Sequence, residues 1–169
     1  MQNLINSVQL SISTQNWYAA VFVVLTLPDI AGKIEYPTQG SQKRYAQWFE
    51  KYCGDKYKQL IGGDNEEVVF LSGNDCYALR CSLLHEGNTN ILTQRAREIL
   101  DEFIFTAPSG YELHCNKSNN KLQLQSDIFC NDIIEGINQW LSDINNDAAK
   151  QIMLEDFIRV YSIVEGFIL

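Results

Sequence analysis

The chain has 169 residues, 46% hydrophobic and 20% charged, enough for one domain with a real core and outside the disordered and fibrous classes. A net charge of −8 and a pI near 4.7 argue against broad, charge-driven binding to DNA or an anionic membrane, while leaving room for a local basic patch. The five cysteines are odd in number and form no C-x-x-C pair, so reduced, mostly buried thiols fit better than a disulfide framework or a zinc knuckle.

In chain order, Leu4, Ile5, Val8, Leu10 and Ile12 give a short apolar pattern, most simply a first helix. The start has neither the positive region nor the cleavage site of a signal peptide, so a cytoplasmic location is expected. Asn16 reads as the N-cap of a second helix that begins at Trp17 and is apolar nearly all round. The run from Trp17 to Leu27 is too short for a bilayer, which needs roughly 20 residues. It reads as a core helix that Pro28 kinks or ends. Gly32 and residues 36–40 read as loop.

Ser41 is the expected cap of a third helix reaching about Cys53. Tyr45, Trp48, Phe49 and Tyr52 form its inward face, with Lys43, Arg44, Lys51, Lys56 and Lys58 on or near the other. A turn at Gly62-Gly63-Asp64-Asn65 and an apolar run from Val68 to Leu71 lead into Ser72-Gly73-Asn74-Asp75, rich in N-cap residues. A helix from about Cys76 to Glu86 follows, stopped by Gly87. Between Asp101 and Gln125, Phe103 to Thr106 is aromatic and β-branched, while Tyr111 to Cys115 and Leu122 to Leu124 alternate between turns. The pattern predicts a small antiparallel meander of two or three strands packed on helices. Ser126 or Asp127 then caps a strongly amphipathic helix, and a last helix runs from about Ala148 to Val164. Asp132 and Glu135, one turn apart, read as a solvated face, and His114, Cys115 and Cys130 match no zinc spacing. The prediction is one mainly α domain over residues 1–169, the meander at about 101–125 inserted before the last two helices. No metal or cofactor is expected.

The chemistry concentrates in the helix from Cys76 to Glu86. Leu79, Leu83, Leu84 and Tyr77 set it against the core, so Arg80 lies at a packed surface and needs an acceptor. Asp29, beside Pro28, is the expected partner. His85 sits in the last turn. A histidine beside a permanent cation suits acid–base work on a phosphodiester, the imidazole moving a proton and the guanidinium meeting developing charge. Residues five apart on a helix point about 140° from each other, so Arg80 and His85 meet only if the helix end deviates, Arg80 reaches round, or a second subunit completes the site. The structural alternative is that Arg80 serves the core and His85 only caps its own helix.

Arg80 and His85 within Ala-Leu-Arg-Cys-Ser-Leu-Leu-His-Glu-Gly resemble the motif of the HEPN superfamily, an arginine and a histidine separated by four to six residues. The resemblance implies a HEPN-like helical bundle that dimerises across the motif helix. It also implies a metal-independent endoribonuclease of the phage-defence or toxin–antitoxin type, with an antitoxin or a nucleotidyltransferase as possible partner. Carried over, Arg80 would contact the scissile phosphate of RNA and His85 would act as general acid or base. Tyr77 and Glu86 are candidate supporting residues. Cys81 stands where active members usually carry a polar residue, often asparagine. Two alternatives stay open: a non-catalytic HEPN-like module that binds a nucleotide or a protein, and a purely structural or adaptor protein.

Overall fold

The computed structural model describes residues 1–63, 65–155 and 160. Helix α1 (Gln2–Ser13) turns through Thr14–Asn16 into α2 (Trp17–Val24), where the side chain of Asn16 accepts from the amide of Ala19 as its spacing predicts. Helix α2 does not kink at Pro28. It stops earlier, at Leu25–Thr26, and α3 (Leu27–Glu35) starts anew with Pro28 in its first turn, where a missing N–H costs nothing. The carbonyls released at the break find other donors: Thr26 Oγ1 bonds the carbonyl of Val23 at 2.7 Å and Tyr45 Oη that of Leu25 at 3.3 Å.

Gly32, expected in a loop, lies buried within α3. A Cβ built there would come within 2.8 Å of the carbonyl oxygen of Arg44, so a glycine lets α3 approach α4 (Ser41–Tyr52) closely. Together, residues 17–35 are the stretch among the described residues long and apolar enough to cross a membrane, and half of it is buried in the fold. Its Asp29 and Glu35 are tied into ion pairs, as in a core helix of a globular domain.

A 3-10 turn (Gly54–Tyr57) leads to a hairpin of β1 (Lys58–Ile61) and β2 (Glu66–Val69), which the sequence pattern did not predict. Both strands are mostly exposed, so they carry little of the alternation that marks a half-buried strand. Helix α5 (Gly73–Glu86) begins three residues before the predicted start, with Ser72 Oγ accepting from the amide of Asp75 at 3.1 Å. It ends as expected at Gly87, whose φ of 64° is a left-handed stop.

The segment after α5 departs from a meander. Strands β3 (Glu102–Thr106), β4 (Asn116–Ser118) and β5 (Lys121–Gln125) form a sheet in the order β3-β5-β4. β4 and β5 pair antiparallel through Asn119-Asn120, both at positive φ, whereas β3 and β5 run parallel with Phe103 opposite Leu122. Tyr111–Cys115 is not a strand. Its alternation finds no surface to cover: Tyr111 is 81% exposed and Cys115 sits at φ 53°. Helix α6 (Ser126–Asp143) follows β5 without a loop, and Ser126 Oγ bonds the carbonyl of Thr106, so both parallel strands deliver their ends to the start of α6. Helix α7 (Ala148–Glu155) covers the first half of the predicted last helix; apart from Val160, which is not helical, the remainder lies outside the described residues.

Trp48, Tyr45, Phe49, Tyr57, Phe129 and Trp140 are fully buried and weld α4 and the 3-10 turn to α6. Glu35 ties α7 to this centre, accepting from Lys150 Nζ at 2.7 Å and Trp140 Nε1 at 3.1 Å. Burial works to raise its pKa, but these bonds outweigh it and hold the carboxyl below its usual range.

Candidate functional site

Three helices contribute the charged cluster beneath the outer face of α5. Asp29 lies in the first turn of α3, Arg44 near the start of α4, and Arg80 in the middle of α5. Asp29 divides its two oxygens between the guanidiniums: Oδ2 accepts from Arg80 Nη2 at 2.9 Å and Oδ1 from Arg44 Nη2 at 3.1 Å. The three side chains are 17%, 19% and 20% exposed for Asp29, Arg44 and Arg80, so most of each lies out of water. The Nε atoms of both arginines are buried and have no hydrogen-bond partner among the described residues.

Arg80 also reaches His85, with Nη1 3.2 Å from Nε2. The helix keeps its regular course to Glu86, so the five-residue gap is closed by the length of the arginine, within one chain. Arginine has no acceptor, so as a hydrogen bond this contact requires Nε2 to accept, which assigns the ring proton to Nδ1. His85 itself is exposed, which puts the reachable end of the cluster at solvent.

The remaining candidates divide. Tyr77 lies one turn before Arg80 and Cys81; its hydroxyl shares a hydrogen bond with Ser41 Oγ at 3.0 Å, and its ring stands edge-on to Tyr45. Burial, first among its causes, pushes the phenol's pKa up. Cys81 is half-buried on the same face. Glu86 turns away, accepting from Gln94 Nε2 at 3.0 Å, and does not join the cluster. Leu84, expected in the core, is only half-buried.

Arg44 is the residue that the sequence pattern misplaced, on the outer face of α4. Its spacing of four from the buried Trp48 is the signal that sets it inward. An open cleft of about 1280 Å³ lies beside this region, lined by Tyr36, Ser41, Lys43, Lys51, Asn74 and Tyr77.

A second polar cluster sits at the start of α6. Asp132 is not on a solvated face: 14% exposed, it accepts from Tyr57 Oη at 3.0 Å and Lys56 Nζ at 2.8 Å, and Lys56 also bonds Glu135. His114 packs over Tyr57 with Nδ1 accepting from the amide of Gln125 at 3.3 Å, which places its proton on Nε2, 3.6 Å from Asp132. Burial, the leading cause, lowers the pKa of His114 despite that carboxylate. A base whose folded pKa is depressed favours folding above the unfolded pKa of about 6.5 and loses that contribution as the pH falls below it. Chemical denaturation between pH 7.5 and 5 should therefore show wild-type stability falling through this window and a flatter profile for His114→Gln. Parallel profiles would exclude His114 as the cause.

Four of the five thiols are not poised for nucleophilic work. Burial raises Cys76, Cys115 and Cys130 to about 12 and Cys53 well above its ordinary value, so all four stay protonated at neutral pH. Among the described residues no group of three or more His, Cys, Asp or Glu is placed to hold a metal ion. No family model, curated protein or solved structure matches the chain.

Proposed function

We propose that the chain is a HEPN-like, metal-independent endoribonuclease whose working pair is Arg80 and His85. The observation that supports this reading is the 3.2 Å contact between Arg80 Nη1 and His85 Nε2 on a guanidinium steered by Asp29. In the proposed reaction a phosphate oxygen of RNA takes over Nη1 of Arg80, which frees the Nε2 lone pair of His85. That lone pair removes the proton of the adjacent 2′-hydroxyl, the 2′ oxygen bonds to phosphorus, and the bond to the 5′ oxygen breaks. The leaving 5′ oxygen takes a proton back from the imidazolium, giving a 2′,3′-cyclic phosphate and a 5′-hydroxyl. Arg80 meets the charge that grows on the phosphoryl oxygens.

The resemblance adds a homodimer across α5 and an antitoxin or nucleotidyltransferase partner. In this reading the dimer shapes the groove for RNA rather than bringing arginine to histidine, since both belong to one chain.

The test is cleavage of single-stranded RNA by purified protein in EDTA. His85→Ala should lower the rate by about 10²- to 10⁴-fold, the usual contribution of a positioned acid–base group. Cutting that persists in that variant would sink the assignment. A second reading, a non-catalytic module of the same fold, draws on the half-buried thiol of Cys81 beside Arg80 and on the engagement of both η nitrogens of Arg80. It predicts binding of a nucleotide or a protein partner without RNA cleavage in the wild type.

A further inference from the structure

The charge balance of the cluster is uneven. Two guanidiniums share one carboxylate, and His85 is neutral while it accepts from Arg80, so among the described residues the group carries a surplus of one positive charge under a mostly closed surface. A half-buried cation without a counter-charge is costly, and arginine is the side chain suited to planar, paired recognition of oxyanions. Arg44 uses one of its five N–H donors, on Asp29 Oδ1, and its Nε has no acceptor among the described residues. Nothing in the motif around Arg80 calls for this second guanidinium.

We propose that Arg44 and Arg80 form a two-guanidinium oxyanion site, with Asp29 as the shared post that holds them side by side and a phosphodiester as the ligand. The proposal rests on the ribonuclease reading for its ligand class, and on the cluster's own geometry for the role of Arg44. The charges match at each stage. The surplus of one equals the single negative charge of a bound diester. When His85 accepts the 2′ proton the surplus rises to two, as the phosphorane gains its second negative charge. The site thereby follows the charge of the reacting phosphate with protein groups, and Arg44 supplies half of the positive charge that Asp29 does not cancel. Asp29 has a further effect: by occupying Nη2 of each arginine it leaves Nη1 of Arg44, and Nη1 of Arg80 once the phosphate displaces His85, for the ligand and fixes the two forks relative to one another.

The experiment uses the full chain, whose two histidines make the ring resonances of His85 separable from those of the buried His114. The protein is titrated with a short oligodeoxynucleotide, a phosphodiester that cannot be cut for lack of a 2′-hydroxyl, and separately with inorganic phosphate. The His85 ring signals and an anisotropy signal on the oligonucleotide are followed. Wild type should show saturable shifts with the oligonucleotide, Arg44→Gln should bind about 10- to 100-fold more weakly, and Arg44→Lys should fall between, because it keeps the charge but not the fork. Both variants leave Asp29 paired with Arg80, so folding should survive, and thermal melts check it. Equal affinity in wild type and Arg44→Gln would overturn the proposal, as would shifts with inorganic phosphate and none with the oligonucleotide. Arg44-dependent binding without any RNA cleavage would uphold the oxyanion site and sink the ribonuclease. Full cleavage by Arg44→Gln would do the reverse.

Discussion

Asp29→Ala should be among the most destabilising single changes in the chain, and more so than the loss of either arginine it holds. Removing the carboxylate strands two guanidiniums that are about four-fifths covered, and removing one partner of a buried pair costs roughly 3–5 kcal/mol. Arg80→Ala or Arg44→Ala strands nothing of that kind, since Asp29 keeps the other arginine; each should cost about 1–2 kcal/mol. For a chain of this length roughly 2–4 °C of melting temperature accompanies each kcal/mol, so Asp29→Ala should lower Tm by about 6–20 °C. The double variant Asp29→Ala with Arg44→Leu should recover part of the loss, because one of the two unpaired charges is gone. Thermal melts of the four variants measure this. A double variant less stable than Asp29→Ala would show that Arg44 is held by more than its carboxylate. An Arg80→Ala variant as unstable as Asp29→Ala would move Arg80 from the site to the core.

Most helices were legible because their signals are local. Asn16, Ser72 and Gly87 act as the capping rules require, and the spacing of Tyr45, Trp48 and Phe49 sets the inner face of α4. β3 and β5 were legible as segments from their own residues, but β4 falls in the turn expected between Cys115 and Leu122, and the strand expected to pair there was Tyr111–Cys115. The parallel pairing of β3 with β5 depends on a crossover that itself carries β4, and no pattern within Phe103 to Thr106 records the direction of its neighbour. Tyr111–Cys115 alternates like a strand but buries a histidine rather than an apolar face, so the period misled.

The site divides in the same way. Arg80 with Asp29 follows from asking what a guanidinium on a packed face must find. The contact with His85 was obscured by treating side chains as radial spokes, when an arginine long enough to lie along the helix spans the angle. Arg44 and Asp132 were missed for one reason: each is a charged residue on an amphipathic helix, and the helical pattern assigns such residues to the solvent face. What buries them is a second helix or loop far along the chain, α3 for Arg44 and the segment of His114 for Asp132.

Gly73→Ala should disturb fold and site together. A Cβ at Gly73 would stand 2.5 Å from the carbonyl oxygen of Ala46 and 2.8 Å from its Cα, and both are backbone atoms of α4 that no rotamer change can move. The substitution can be relieved only by shifting α5 away from α4, so the small gain in helix propensity is outweighed by overpacking of about 1–3 kcal/mol, occasionally more. The same shift acts at Arg80, two turns along α5, because the bonds of Arg80 and Arg44 to one carboxylate depend on the distance between these helices. Movement of about 1 Å is enough to break hydrogen bonds of 2.9 and 3.1 Å. Gly73→Ala should therefore lower Tm by several degrees and weaken oligonucleotide binding, although residue 73 lies outside the charged cluster. Gly110→Ala is the control: it lies in the exposed segment after β3 with open space around its Cβ position, and should leave both readouts nearly unchanged. Loss of stability with unaltered binding in Gly73→Ala would show that the two arginines are aligned by Asp29 itself and not by the spacing of α4 and α5.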